Sequence, residues 1–179
     1  MTLSGTIIWL RQAARALSFA VVFTTLLPLL LGFALGIPSA LVLGLVSSTF
    51  ILQANAAFVG LGMGLHPVVV LVVMTLVQVG AVLAILFICD AFAMQSERVQ
   101  GLLRRTEEKM QKMPYLGRYG AATLIILPAM PIIGLYSSAL IGWILRWDRR
   151  WSLFFITLGW VLVTVFLMLT ALGVVNMIF

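Results

Sequence analysis

Between Arg118 and Arg146 lie 27 residues without a single charge, YGAATLIILPAMPIIGLYSSALIGWIL, and no other stretch constrains the fold as strongly. Basic residues bracket it, with Arg149 and Arg150 reinforcing the far end. Lys and Arg beside membrane segments stay on the cytoplasmic side, so both ends belong on one face. Returning to the same face by two full crossings takes roughly 40 apolar residues, about 20 for each. The stretch is too short, and Pro128, Pro131 and Gly134 interrupt its middle, where a straight helix would break. It reads as a re-entrant hairpin that dips into the bilayer and comes back out. Broken backbone at membrane depth is tolerated only where it is buried in protein or lines a wet cavity. The hairpin is therefore a transport-site candidate rather than an anchor.

With 63% hydrophobic and 9% charged residues and a mean hydropathy of +1.20, the chain is an integral membrane protein. One membrane domain is expected over residues 1–179. A net charge of +6 would point to nucleic acid in a soluble chain. Here the eleven basic residues cluster beside apolar spans, so topology and anionic lipid account for them and no nucleic-acid partner is expected. The single Cys89 excludes an internal disulfide and a multi-thiolate metal site. Arg11 and Arg15 precede an apolar run, Leu17 to Leu35, that is longer than a signal-peptide core and lacks a clear cleavage site, so a first span is expected there.

Four segments follow from this pattern. Residues 1–36 hold a short interfacial helix carrying Trp9 and then the first span, 17–36; residues 37–90 hold an uncharged run and the span opened by Pro67. Residues 91–118 are the polar segment, in which Val99, Leu102, Leu103, Thr106, Met110 and Met113 follow helical spacing as an amphipathic helix on the membrane surface. Residues 119–179 hold the charge-free hairpin, the WDRRW turn and a last span, 151–178.

Charge parity sets the topology. Glu97 to Arg118 contain six basic and three acidic residues, the strongest cytoplasmic signal, and Arg11 and Arg15 belong inside too. An even number of crossings separates the two clusters, and the spans 17–36 and 67–89 supply them. Residues 38–66 then start and end outside, as a second hairpin. The expected fold is all-α and membrane-integral, with three full spans, two re-entrant hairpins entering from opposite faces as an inverted-topology repeat, and interfacial amphipathic helices. A competing topology makes 39–59 and 120–142 full spans, at the cost of placing two basic clusters outside.

No charge falls inside the hydrocarbon region in this assignment, so a carboxylate proton relay has no evident carrier; Asp90 reads as a solvated acid at a helix end. The embedded polar groups are amides and hydroxyls. Gln78 is the twelfth residue of its span, near mid-bilayer; Gln53 and Asn55 sit near the tip of the first hairpin; Ser137 and Ser138, with Tyr136, sit on the return arm of the second. They serve either as a binding site for a polar head group or solute, or as glue between helices and partners for freed backbone. The pairs Gly32/Gly36 and Gly60/Gly64 have small-xxx-small spacing for close helix packing, and His66 reads as a structural residue at the interface. Trp143, Trp147 and Trp151 fit an aromatic belt. No nucleophile–base–acid set is visible, so no enzyme, catalytic residue, metal or cofactor is expected.

From Leu116 to Gly159 the sequence resembles the small multidrug export family, within the DedA/VTT (SNARE-associated Golgi protein-like) membrane superfamily. The residues that carry the resemblance are Tyr119-Gly120, the apolar run to Pro128-Ala129-Met130-Pro131, Gly134, and Ser137-Ser138-Ala139-Leu140-Ile141. The family's E-L-R-G-A-I-P element falls on Leu52 to Phe58, where the acid, the arginine and the proline are all missing. The resemblance implies two re-entrant hairpins in an inverted repeat and export of small molecules or movement of lipid.

The expected function is transport of a small amphipathic or neutral solute, or of a lipid head group, through a midplane site lined by Gln53, Asn55, Gln78, Pro128, Pro131, Gly134, Ser137 and Ser138. A lipid scramblase without ion coupling, or a non-transporting subunit of a larger complex, is the alternative. The expected partners are membrane lipids, a small-molecule or lipid substrate, and further copies of the chain. The expected place is the prokaryotic cell membrane, with 91–118 cytoplasmic and the C-terminus outside.

Overall fold

The computed structural model describes residues 13–95, 99–101, 103–106, 134–145 and 147–178; outside three short links these are helical, and no strand occurs among them. The elements are α1 (Ala13–Ala34), α2 (Ser39–Leu52), a 3-10 turn (Gln53–Asn55), α3 (Ala56–Gly62), α4 (Pro67–Gln95), α5 (Gly134–Ile144) and α6 (Arg149–Ile178). Four segments are long and apolar enough to cross a membrane: Ala13–Ala34, Ser39–Gly62, Pro67–Ala93 and Arg149–Gly173. The expected interfacial helix carrying Trp9, Pro128 and Pro131, and the first arm of the expected second hairpin lie mostly or wholly outside the described residues. So does most of the amphipathic segment, although Leu103 is buried while Arg104 and Arg105 beside it are exposed.

Ser39–Gly62 does not run straight. Gln53 takes φ 52° and ψ −128°, a conformation that suits glycine, and the chain reverses there. Met63 Cε lies 3.2 Å from where a Gly44 Cβ would stand, and Leu45 Cδ1 lies 3.0 Å from that of Gly60, so α3 packs back along α2. The arms hold 14 and 7 residues, about 21 and 10 Å at 1.5 Å per residue. Neither alone matches a hydrocarbon core of about 30 Å.

The glycine pairs divide their labour, which corrects the reading of all four as packing residues. Gly32 lets Val42 approach, at 2.5 Å from its absent Cβ, and Gly60 does the same for Val70 at 2.8 Å. Gly36 (φ 67°) and Gly64 (φ 76°) have nothing within 4 Å of that position and instead end their helices. At each end the N–H one residue beyond this glycine returns to the earlier one: Ile37 to the Gly32 carbonyl at 2.8 Å and Leu65 to the Gly60 carbonyl at 3.2 Å. These are Schellman ends, which need a left-handed residue at that position.

In α1, Val22–Leu26 form a π-turn just ahead of Pro28. Proline lacks an N–H and crowds the carbonyl four residues back, so a widened turn is the local answer. The absent Cβ of Gly80 in α4 would lie 2.7 Å from Phe23 Cβ and 2.9 Å from Thr24 Cγ2, so this glycine seats the π-turn.

α4 is the hub, packed against α1, α2, α3, α5 and α6. It runs antiparallel to α6: Asp90 near its end bonds Arg149 at the start of α6, and Pro67 at its start shares a cavity with Ala171 and Leu172 near the other end. The buried positions of the two helices correspond at a constant offset of 82 residues: Val70 and Ser152, Met74 and Ile156, Gln78 and Trp160, Val82 and Thr164, Leu86 and Met168. The correspondence reaches into the preceding arms, where Ala56, Ala57, Ser138 and Ala139 are all fully buried. The helix starts correspond too. His66 Nδ1 accepts the Val68 N–H at 3.3 Å, and Asp148 Oδ1 accepts the Arg150 and Trp151 N–H groups at 2.8 and 3.3 Å. His66 is thus a capping residue, as its structural reading implied.

Candidate functional site

The helix break at Gln53 leaves the last carbonyls of α2 without helical partners. The Gln53 N–H bonds back to the Thr49 carbonyl. The Phe50 carbonyl is met from another part of the chain, by the hydroxyl of Tyr136 at 3.3 Å. Tyr136 stands at the start of α5, two residues after Gly134, so the turn after α2 and the start of α5 meet. Gln53 is half-buried, Asn55 is exposed, Ser137 is half-buried, and Ser138 is fully buried and engaged by the protein.

Gln78 lies in α4, which packs against both α3 and α5. It is 1% exposed, and neither its amide oxygen nor its amide nitrogen has a hydrogen-bond partner. Leaving a buried polar group unpaired costs about 1–3 kcal/mol. Other unpaired buried atoms lie along α6: Arg149 Nη2, Ser152 Oγ, Thr157 Oγ1, Trp160 Nε1 and Thr164 Oγ1. These positions fall within an arc of roughly 140° at about 100° per residue, so they occupy one side of the helix over about 22 Å. The contrast with the other threonines is direct. Thr24, Thr49, Thr75 and Thr170 each donate to the carbonyl four residues back at 2.7–2.8 Å, whereas Thr157 and Thr164 are left unpaired. The middle of the protein therefore holds hydrogen-bonding capacity that the described protein groups leave unused.

This track begins at a cavity of about 380 Å³ between the end of α4 and the start of α6. Asp90, Trp143, Trp147, Arg149 and Ser152 supply its polar wall, over Leu86 and Gly142. Asp90 accepts the Trp143 indole N–H at 2.8 Å and Arg149 Nη1 at 3.2 Å, and the Arg149 guanidinium lies 4.1 Å from the centre of the Phe87 ring. Asp90 is thus a helix-end acid, 40% exposed, that is also paired in a cavity wall. Trp143 and Trp147 likewise line this cavity, whereas Trp151 is 59% exposed, as a belt residue would be. Sequence reasoning missed the pair because 59 residues separate its members. Their signal was present: each sits at the end of a long apolar helix, and antiparallel neighbours bring such ends together.

Among the described residues no group of three His, Cys, Asp or Glu side chains forms a metal site. Side chains fully open to the surroundings include Phe33, Ile51 and Phe166, 68–86% exposed, on helices that are apolar all round; such a surface belongs in lipid. The chain is an integral membrane protein. No curated protein and no solved structure matches it. The family described as "Putative small multi-drug export protein" matches residues 54–166, from the turn at Gln53 through the first half of α6, which is more than half of the chain, and the chain belongs to that family.

Proposed function

We propose that this protein transports a small amphipathic or neutral solute, or a lipid head group, through a site near the membrane midplane between two re-entrant hairpins, 38–66 and 119–145. The observation that carries this reading is the unpaired amide of Gln78 at the centre of α4, with unpaired Trp160 and Thr164 in the corresponding stretch of α6. Buried polar groups without protein partners are costly, and a passing ligand or water that accepts and donates hydrogen bonds gives them a use. Catalysis has no comparable support.

The hairpin reading draws on the reversal at Gln53 and on arms too short to cross separately. The inverted repeat draws on the antiparallel α4 and α6 and their matched burial. Gln53, Asn55, Gly134, Ser137 and Ser138 line the junction in this proposal, with Pro128 and Pro131 shaping the second break. Residues 91–118 face the cytoplasm, the C-terminus lies outside, and the membrane is that of a prokaryotic cell.

Scrambling of lipid without ion coupling is a second form of the same activity. It is favoured by the lack of charge from Pro67 to Cys89 and from Trp151 to Ile178, which leaves the central length of both spans without a charged side chain, Asp90 and Arg149 standing at their ends.

Liposomes holding the purified protein test the proposal. Substitution of Gln78→Leu together with Asn55→Leu is expected to abolish movement of dye-like amphipaths or labelled lipid while the protein stays folded. Undiminished transport by this variant sinks the site, and equal rates with and without a proton gradient select scrambling over coupled export. Cysteine labelling at positions 37, 66, 101, 147 and 179, in a background with Cys89 replaced, tests the topology. Reaction of position 147 from the outside overturns the hairpins.

A further inference from the structure

The cavity at the junction of α4 and α6 contains more donors than its own acceptors use. Asp90 accepts from Arg149 Nη1 and from the Trp143 indole. The first-turn N–H groups of α6 are also satisfied, Arg150 and Trp151 by Asp148 Oδ1 and Ser152 by the Asp148 carbonyl. What remains on the cavity wall is Arg149 Nη2, the Trp147 indole N–H and the Ser152 hydroxyl, all buried atoms without a partner. Ser152 is itself only 3% exposed, so bulk water does not satisfy its hydroxyl from outside. Two of these three groups can only donate.

The other end of the molecule supplies an internal control. A cavity of about 580 Å³ there is walled by Phe58, Leu61, Leu65, Pro67, Ala171 and Leu172, with glycines and His66. By the 82-residue correspondence, Leu61 stands where Trp143 does, Leu65 where Trp147 does, Pro67 where Arg149 does, and Leu172 where Asp90 does. The architecture thus builds a cavity at both ends, and packing is met at one of them by apolar side chains. The polar set at the α4–α6 junction is not something the fold requires.

We infer that this cavity binds a singly charged oxyanion, held by Arg149 Nη2, the Trp147 indole and the Ser152 hydroxyl. Arginine with two further donors suits phosphate or carboxylate oxygens. The positive end of α6 adds little, because the Asp148 carboxylate already caps it. The Asp90 carboxylate on the same wall limits the charge: it already offsets that of Arg149, and it repels a dianion more than a monoanion. A phosphodiester, as in a lipid head group, and a free small monoanion share the required chemistry. This site lies beyond the proposed midplane site and is tested without any transport.

Binding is read in neutral detergent through the fluorescence of Trp143 and Trp147 and, independently, by calorimetry. The probes are dihexanoyl phosphatidylglycerol, dimethyl phosphate, zwitterionic dihexanoyl phosphatidylcholine and inorganic phosphate. Saturable binding of at least one of the first two, tighter than that of inorganic phosphate, is expected; binding of phosphatidylglycerol alone assigns the site to lipid, and binding of dimethyl phosphate as well assigns it to a free solute. Ser152→Ala and Trp147→Phe should each weaken binding about fivefold, the loss of one hydrogen bond of about 1 kcal/mol. Arg149→Gln should weaken it at least about tenfold. Ser152→Ala and Trp147→Phe keep the Arg149–Asp90 pair, so they decide the matter even where Arg149→Gln fails to fold. No saturable binding of either monoanion overturns the inference. Unchanged binding in both conservative variants, or equal binding of phosphatidylcholine, overturns it as well.

Discussion

Tyr136 donates its hydroxyl proton to the carbonyl of Phe50, 86 residues earlier, at 3.3 Å. One bond therefore joins the broken end of α2 to the first turn of α5, and it satisfies a carbonyl that no helix can use. Tyr136→Phe removes only the oxygen atom. It should lower stability by about 0.5–1.5 kcal/mol, the usual net worth of such a bond. Thermal unfolding in detergent measures this, and an unchanged midpoint means that the carbonyl is satisfied some other way.

Gln78 offers the opposite sign. Gln78→Leu replaces a buried, unpaired amide by an apolar group of similar volume. It should raise stability by about 1 kcal/mol or more while lowering transport, because an unused buried amide costs about 1–3 kcal/mol. A variant that is both less stable and fully active contradicts the assignment.

Much of the fold was legible in the chain. The spans expected at 17–36, 67–89 and 151–178 appear as Ala13–Ala34, Pro67–Gln95 and Arg149–Ile178, because long apolar runs bounded by Gly-Pro links and basic turns leave few options. The break near Gln53 was legible only through charge parity, which made 38–66 start and end on one face; its residue type gives no hint, since glutamine seldom adopts positive φ. The correspondence between α4 and α6 stayed hidden because it preserves burial and not identity: Gln78 matches Trp160, and Val70 matches Ser152. The burial of Gln78 was legible from its place in the middle of an apolar span, whereas the Asp90–Arg149 cavity depends on helix pairing that charge patterns do not encode. Pro128 and Pro131 lie outside the described residues.

Strain at Gln53 gives a third expectation. A non-glycine residue held at φ 52° and ψ −128° costs about 1–3 kcal/mol. Gln53→Gly should therefore stabilise the protein by about 1 kcal/mol, the gain being reduced by the greater freedom of glycine in the unfolded chain. Chemical denaturation compared with wild type checks this, and destabilisation would mean that the glutamine side chain holds the turn.

Asp90 and Arg149 are 40% and 39% exposed, so their attraction is screened. A double-mutant cycle with Asp90→Asn and Arg149→Gln should give a coupling below about 1 kcal/mol. Coupling well above that value would show the pair to be drier than its exposure implies.

Glycine substitutions should separate by contact. Gly80→Ala sets a methyl group 2.7 Å from Phe23 Cβ and should cost about 1–3 kcal/mol through forced movement of α1. Gly62→Ala, with nothing within 4 Å, should leave stability level or raise it by up to about 1 kcal/mol through helix propensity. Equal effects at the two sites would contradict the close packing of α1 on α4.

The Schellman ends at Gly36 and Gly64 have a mechanical meaning. Their links are closed by backbone hydrogen bonds, from Gly36 and Ile37 back to Phe33 and Gly32, and from Gly64 and Leu65 back to Leu61 and Gly60. A closed link is a stiff elbow, and two such elbows pin α1 to α2 and α3 to α4. The reversal between α2 and α3 is closed by backbone bonds of its own, Gln53 N–H to the Thr49 carbonyl and Ala56 N–H to the Gln53 carbonyl, yet it is wound against its preference at Gln53. Between two stiff elbows, the strain of the hairpin is therefore confined to one residue of its turn.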